Sequence, residues 1–327
     1  MKYRRLGKTN FEVSEVSLGT WQLGEGWGSV PDQDAVRVLQ AALDHGINFF
    51  DTADVYGDGR SERFIAHVLA KHTERIYVAT KAGRRLQPHI PEGYNRKNLT
   101  AFVERSLANL KRDSLDLLQL HCPPTEVYYR PEVFDALDEL KQAGKILHYG
   151  VSVEKVEEAL KASEYPGVAT VQIIFNIFRQ RPKELFFPLA QKRNVGILVR
   201  LPLASGLLGG KINKDTQFSS DDHRSYNRYG ERFDRGETFS GVDFEVALHA
   251  VEQVRRLVPA NVSMAAFAMC WILQHAEVSC VIPGARNADQ VIENARASNL
   301  PPLSPEQMEA LTKIYQDQIR PYVHQRW

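Results

Sequence analysis

Apolar positions along this 327-residue chain fall into two rhythms. Short, nearly unbroken runs such as Val171-Gln172-Ile173-Ile174-Phe175 suit strands covered on both faces. Between them, apolar residues recur at helical spacing, as in Val36, Leu39, Ala42 and Leu43 ahead of the stop at Gly46. Read in order, the pattern predicts a β-hairpin, Tyr3–Leu6 against Phe11–Ser14, turned at residues 7–10. Strands are then predicted at Val16–Gly19, Asn48–Asp51, Ile76–Lys81, Leu115–His121, Ile146–Ser152, Val171–Asn176, Gly196–Leu201 and Val278–Ile282. Helices are predicted over Asp32–His45, Ser61–Lys71, Asn98–Leu110, Pro131–Ala143, Lys155–Ala162 and Pro182–Lys192. Asp243–Leu257 and Ser263–His275 precede the last strand, and Asp289–Ala297 and Pro305–Gln318 follow it. Eight strands, nearly all followed by a helix, predict a parallel sheet closed into a (β/α)8 TIM barrel. The hairpin falls outside the repeat, which leaves it to cap the barrel floor, and extra helices gather near the C-terminus.

No stretch reads as an interdomain linker, so residues 1–327 are expected to form one domain. The outlier is residues 212–242, polar and mixed in charge but carrying Tyr226, Tyr229, Phe233 and Phe239. A connection that long is expected to be a lid or a disordered loop. Residues 319–327 form an aromatic tail, expected either over a pocket or docked elsewhere.

Composition narrows the function. Lys+Arg 41 against Asp+Glu 40 leaves a net charge of +1, with no footprint for nucleic acid or an anionic membrane. No run of eighteen apolar residues exists, so no spanning helix is expected. The N-terminal stretch is basic but lacks the apolar core of a secretory signal. Three cysteines, Cys122, Cys270 and Cys280, are too few and scattered for a disulfide framework or a zinc site. A cytoplasmic location and no metal are the expectations. Oligomeric state is unreadable.

In a barrel of this type the reactive residues lie at the C-terminal strand ends. Asp51, Lys81, His121 and Ser152 end strands two to five, and Tyr56 follows Asp51 in Asp51-Thr52-Ala53-Asp54-Val55-Tyr56-Gly57. An ammonium beside a phenol favours the phenolate, so Lys81 is expected to lower the Tyr56 pKa, with Asp51 as the anion that keeps Lys81 charged. Two donors on one oxygen, Tyr56 and His121, would polarise a carbonyl for attack at carbon. No acyl nucleophile and no metal cluster accompanies them. The missing attacking species points to a hydride from a bound cofactor. Cys122 is next to His121, but strand neighbours point to opposite faces.

The runs FFDTADVYGDGRSE, TKAG, LQLHCPP, GVS, PLASGLLGGK and VIPGARNADQVIEN, in that order, resemble the aldo-keto reductase family across essentially the whole chain. The resemblance implies NADP(H) bound in extended form without a Rossmann domain. It implies a catalytic tetrad of Asp51, Tyr56, Lys81 and His121, with Tyr56 the proton donor. Cofactor contacts would come from Gly19, Thr20, Trp21 and Asp51, and from Ser152 and Gln172 at the carboxamide. Arg200 would lie at the ring, and Pro202, Leu203, Ser205, Gly206, Leu207 and Lys211 along the pyrophosphate. Ile282, Gly284, Arg286, Gln290, Glu293 and Asn294 would serve the adenosine end. Trp21, Tyr56 and His121 would meet a small-molecule carbonyl substrate.

Departures from the family pattern are visible. Val153 stands where many members have Asn, and Asn176 is a possible substitute. Arg200 replaces an aromatic residue and would put a positive charge beside the oxidised ring, favouring the reduced cofactor. Gly284-Ala285 replaces a Lys-Ser pair, leaving Arg286 more of the 2′-phosphate and NADP over NAD preference less strict. Trp21, Trp27, Tyr128 and Tyr129 are candidate pocket walls. The sequence reading is NADPH-dependent reduction of an aldehyde or ketone. Its rivals are an NADP(H)-binding regulatory barrel with little turnover, and a lyase or isomerase on the same barrel. The natural substrate is not legible.

Overall fold

The computed structural model describes residues 1–24 and 30–327. The hairpin strands β1 (Tyr3–Arg5) and β2 (Glu12–Ser14) pair antiparallel, Arg4 opposite Val13. The barrel strands follow as β3 (Leu18–Gly19), β4 (Phe49–Asp51), β5 (Tyr77–Ala82), β6 (Leu115–His121), β7 (Ile146–Ser152), β8 (Val168–Ile174), β9 (Gly196–Arg200) and β10 (Val278–Val281). Each pairs in parallel with its sequence neighbour, giving one eight-stranded sheet. The ends meet through parallel bridges, Val16 with Val281 and Gly19 with Gly284. The Ser17 N–H donates to the Val281 carbonyl at 2.9 Å, and Gly19 N–H to the Pro283 carbonyl at 3.0 Å. A Cβ on Gly19 would stand 2.7 Å from the Ile282 carbonyl oxygen, so the seam closes on glycine. The sheet is therefore a closed (β/α)8 barrel, as the strand count predicts.

Helices start where polar side chains take up free N–H groups. Asn95 caps the helix Arg96–Leu110, Ser263 caps Met264–Leu273, and Ser304 with Gln307 forms a capping box for Pro305–Ile314. Their apolar faces and the outward residues of the strands make one large core. A second cluster fills the barrel bottom, where Leu6, Phe11 and Val13 of the hairpin meet Phe49, Ala79, Leu117, Leu198 and Cys280. The hairpin thus plugs the floor. Among the described residues no helix is long and apolar enough to cross a membrane.

Most ends shift by a residue or two, and three segments depart further from the pattern reading. β8 begins at Val168 and ends at Ile174, because an apolar run from Val168 to Phe175 contains no period to mark its ends. The last helix gives way at Tyr315 to a wider turn over Tyr315–Ile319 and resumes at Arg320–Val323. Pro321 lacks the N–H that would continue the α ladder to Asp317. Residues 212–242 hold a short helix, His223–Tyr226, and single turns at Arg235–Glu237 and Phe239–Gly241.

That segment is pinned to the barrel. The Ser205 hydroxyl donates to the Glu237 carbonyl at 2.9 Å and accepts from the Phe239 N–H at 3.1 Å. The aromatic tail docks on the same segment rather than lining the cleft described below. Trp327 is buried, donates from Nε1 to Asp234 at 2.8 Å, and lies under the Arg179 guanidinium at 4.1 Å.

The hairpin plug supplies a test. Gly7 has φ of 52°, and a Cβ there would sit 2.2 Å from the Gly196 nitrogen. Gly7→Ala is expected to lower stability by about 2–3 kcal/mol through backbone strain and that clash. Urea unfolding measures it; an unchanged midpoint would mean the plug is not seated this way.

Candidate active site

Parallel strands put all their C-terminal ends on one rim, and the two-residue period decides which side chains face inward. In β5 Lys81 points in, whereas its neighbour Thr80 points out and donates to Glu62 at 2.6 Å. In β6 Gln119 and His121 share the inward face. Lys81 is 1% exposed and Asp51 3%. The Lys81 Nζ donates to Asp51 Oδ1 at 2.5 Å, to the Thr52 carbonyl at 2.8 Å and to the Tyr56 hydroxyl at 3.3 Å. All three ammonium protons are therefore placed. The second Asp51 oxygen accepts from Gln172 at 2.8 Å and Gln119 at 3.1 Å. Tyr56 reaches this group from the turn after β4, held by its N–H on the Ala53 carbonyl. A Cβ on Gly24 would fall 2.6 Å from the Tyr56 carbonyl carbon, so glycine lets the Trp21–Gly24 helix pack onto it.

Burial opposes the Lys81 charge, but Asp51 and Tyr56 outweigh it and hold the ammonium above its ordinary value. Burial pushes the Tyr56 phenol up; Lys81 pulls it down without reversing the shift, and Asp51 adds to the rise. The expected lowering of the Tyr56 pKa by Lys81 is therefore not the net result: both groups keep their protons at neutral pH. His121 is buried, its ring edge-on to Tyr56 with centroids 5.9 Å apart. Burial, then the positive charges of Arg84, Lys81 and Arg200, drive its pKa well below the ordinary value. It is a neutral imidazole, and its Nδ1 has no hydrogen-bond partner among the described residues.

These residues close one end of a cleft of about 680 Å³. Of the residues expected at a cofactor, all but Leu207 line it: Gly19, Thr20, Trp21, Asp51, Ser152, Gln172, Arg200, Pro202, Leu203, Ser205, Gly206, Lys211, Ile282, Gly284, Arg286, Gln290, Glu293 and Asn294. Leu207 is fully buried in the core, because the turns at Ala204–Gly209 send its side chain inward while Gly206, φ 97°, faces the cleft. Gln22 also lines the cleft, and a Cβ on Gly284 would sit 2.0 Å from its Oε1, so Gln22 fills the space a longer side chain at 284 would need.

Asn176, Tyr128 and Tyr129 depart from expectation, for identifiable reasons. Asn176 does not replace a carboxamide contact: it is buried behind the strand end, donating to the Leu201 carbonyl and the Ser240 hydroxyl, both at 2.9 Å. Tyr128 is fully buried with its hydroxyl on the Ser152 carbonyl, and Tyr129 is 62% exposed; neither lines the cleft. Trp27 lies outside the described residues. Cys122 is buried and its thiol is pushed up to about 12, mainly by burial, which leaves it no nucleophile.

Arg200 is not a bare charge. Its Nη2 contacts Glu154 at 2.9 Å and the Val153 carbonyl at 3.0 Å, and its Nη1 lies 3.4 Å from Glu237. Arg84 bridges the same carboxylates, at 3.0 Å to Glu154 and 2.5 Å to Glu237. Two guanidiniums and two carboxylates thus form a closed ring beside the tetrad. Sequence reasoning missed Arg84, Glu154 and Glu237, which lie up to 153 positions apart and carry no local signal. It also missed Arg224 and Ser263, which line the cleft together with Ser205 and Lys211.

The family model for the aldo/keto reductase family matches residues 15–316. An uncharacterised oxidoreductase, YqkF of Bacillus subtilis, is 31% identical over 95% of each chain. A probable voltage-gated potassium channel subunit beta of Arabidopsis thaliana is 30% identical over 100% of this chain and 98% of its own. Among solved structures, glycerol dehydrogenase AKR11B4 from Gluconobacter oxydans superposes with a TM-score of 0.78 at 31% identity, covering 99% of this chain and 96% of its own. Aldo-keto reductase AKR11C1 from Bacillus halodurans, in its holo form, gives 0.77 at 27%, covering 96% of each. With the motifs, the barrel and these likenesses in agreement, the chain belongs to the aldo/keto reductase family.

Proposed function

We propose that this chain is an oxidoreductase that reduces an aldehyde or ketone to an alcohol with NADPH, Tyr56 giving the proton. One observation carries the reading: the Lys81 ammonium joins Asp51, at 2.5 Å, to the Tyr56 hydroxyl, at 3.3 Å, at the end of a long cleft. The residues fit an extended dinucleotide. Lys211 and Arg224, with the Ser263 hydroxyl, suit the pyrophosphate, and Arg286 suits a 2′-phosphate at the far end. Gln172, whose Nε2 is committed to Asp51, keeps a carbonyl oxygen to accept from the carboxamide, and Ser152 stands beside it. Bound NADPH supplies a hydride to the carbonyl carbon.

The protein's own part is positioning and proton delivery. Tyr56 and neutral His121 both offer hydrogen-bond donors to the carbonyl oxygen. As negative charge grows on that oxygen, the Tyr56 proton moves to it. The raised pKa is suited to holding that proton until it is needed, and Lys81 stabilises the phenolate left behind. Trp21, stacked near Tyr56 at 6.2 Å, forms the adjoining wall for the substrate. Residues 212–242 act as a lid over a single-domain barrel, and the three buried free thiols suit a reducing cytoplasm.

A second reading has support in the channel beta subunit relative: a cofactor-binding barrel whose turnover is incidental. Single-turnover oxidation of bound NADPH, with no multiple turnover on any of a panel of carbonyls, would favour it. Under the first reading, Tyr56→Phe loses about 10²–10⁴ in kcat while NADPH still quenches Trp fluorescence; near-wild-type turnover would refute the assignment.

His121 makes a separate claim about pH. Its folded pKa lies below the ordinary 6.5, so below that pH the unfolded chain binds the extra proton and stability falls as pH falls. The contribution is at most about 1.4 kcal/mol per pH unit. His121→Gln should show a shallower loss of stability between pH 6.5 and 5 by denaturant titration; parallel curves would mean His121 is protonated in the fold.

A further inference from the structure

The geometry points to Glu237 as a positioning residue that fixes and neutralises Arg200 beside the nicotinamide end of the cleft, so that residues 212–242 set the relative affinity for oxidised and reduced cofactor. This rests on the cofactor reading above.

Arg200 ends β9 and lines the cleft with Tyr56, His121, Ser152 and Gln172, so its charge faces the place where a nicotinamide would lie. The oxidised ring is a cation and the reduced ring is neutral. A bare guanidinium at this distance would penalise only the oxidised form. The structure does not leave it bare. Glu154, on the loop after β7, belongs to the barrel and is present whatever the lid does. Glu237 comes from the 212–242 segment, and it too lines the cleft. Its carboxylate is shared by Arg200 at 3.4 Å and Arg84 at 2.5 Å. Its backbone is fixed independently, its carbonyl on Ser205 at 2.9 Å.

The two carboxylates are unequal. Burial and the neighbouring Glu237 push Glu154 up to about 8. Burial also opposes ionisation of Glu237, but Arg84 and Arg200 outweigh it and keep its carboxyl well below the usual range. Glu237 is therefore the firm negative charge of the ring. Removing it leaves two guanidiniums facing one weakly ionised carboxyl. Removing Arg200 instead takes a positive charge away from the place of the ring and leaves Arg84 balanced by Glu237, which eases binding of the cationic form.

The experiment is a fluorescence titration of the full-length chain with NADP⁺ and with NADPH, reading the ratio of the two Kd values. Glu237→Gln keeps the shape and removes the charge. It is expected to raise Kd(NADP⁺)/Kd(NADPH) by about fivefold or more. Arg200→Leu is expected to lower the ratio. Glu231→Gln deletes an exposed carboxylate of the same segment, which among the described residues accepts a hydrogen bond from the Tyr229 N–H alone, and should leave the ratio unchanged. Equal weakening of both cofactors in Glu237→Gln would mean that it only seats the segment, and would overturn the proposal. A matching rise in Glu231→Gln would overturn it too. Should Glu237→Gln fail to fold, Arg200→Leu decides alone, an unmoved or raised ratio counting against. Wild-type chain that binds neither form defeats the underlying cofactor reading, a result visible before any variant is made.

Discussion

Everything at the rim depends on one buried ion pair, Lys81 with Asp51. Moving either charge out of water costs several kcal/mol, and attraction alone rarely offsets both. The pair persists because every remaining valence is filled. Lys81 spends its other two protons on the Thr52 carbonyl and Tyr56, and the second Asp51 oxygen takes two amide donors, from Gln119 and Gln172. Asp51 and Lys81 lie on the paired strands β4 and β5, while the two amide donors come from β6 and β8, so the full set of partners is assembled only in the folded sheet. The same arrangement places a protonated phenol against a permanent cation. Chemistry and fold stability are therefore drawn from one set of contacts.

The ring of Arg84, Glu154, Arg200 and Glu237 is the second half of that electrostatics. It offsets several buried positive charges next to a histidine that burial, and then the remaining positive field, hold unprotonated. A neutral imidazole can donate to a carbonyl oxygen without bringing a full charge to it. In the absence of the ring's carboxylates, Arg84 and Arg200 would present two positive charges to the same small volume.

Most of the fold was legible, because eight strand–helix units leave few alternatives to a barrel and Gly46 and Gly144 punctuate the helices clearly. Strand ends were less so. In β8 the continuous apolar run hides its limits, so the pattern carries the strand on to Asn176, whereas the strand stops at Ile174 and Asn176 turns to the Leu201 carbonyl and the Ser240 hydroxyl. That Asp51, Tyr56, Lys81 and His121 meet was legible because each stands at a strand end or just beyond one. Leu207 shows the limit of motif reasoning: it lies in the right loop, but the chain reverses at Ser205 and Gly206 and buries it. For Tyr56 the lowering by Lys81 was legible but the net direction of the shift was not. A list of neighbours shows the attraction of Lys81 but not the depth of burial opposing it.

The long polar segment is where sequence and structure part most, and where the parts of the molecule join. Its polar character reads as loop, yet its seat is built from partners that are remote in sequence. Arg179, fully buried after β8, donates to the Gly236 and Ser240 carbonyls and covers the Trp327 ring. Burial pulls the Arg179 pKa down to about 10, with Asp234 opposing, so the guanidinium stays charged. Asp234 in turn accepts from Trp327. Only a few residues separate these anchors from Glu237. A segment held this way cannot lift at one end without disturbing Trp327, or at the other without uncovering Arg200. Seating the segment and setting the charge of the cleft wall are therefore a single physical event, and the aromatic tail takes part in it without touching the cleft.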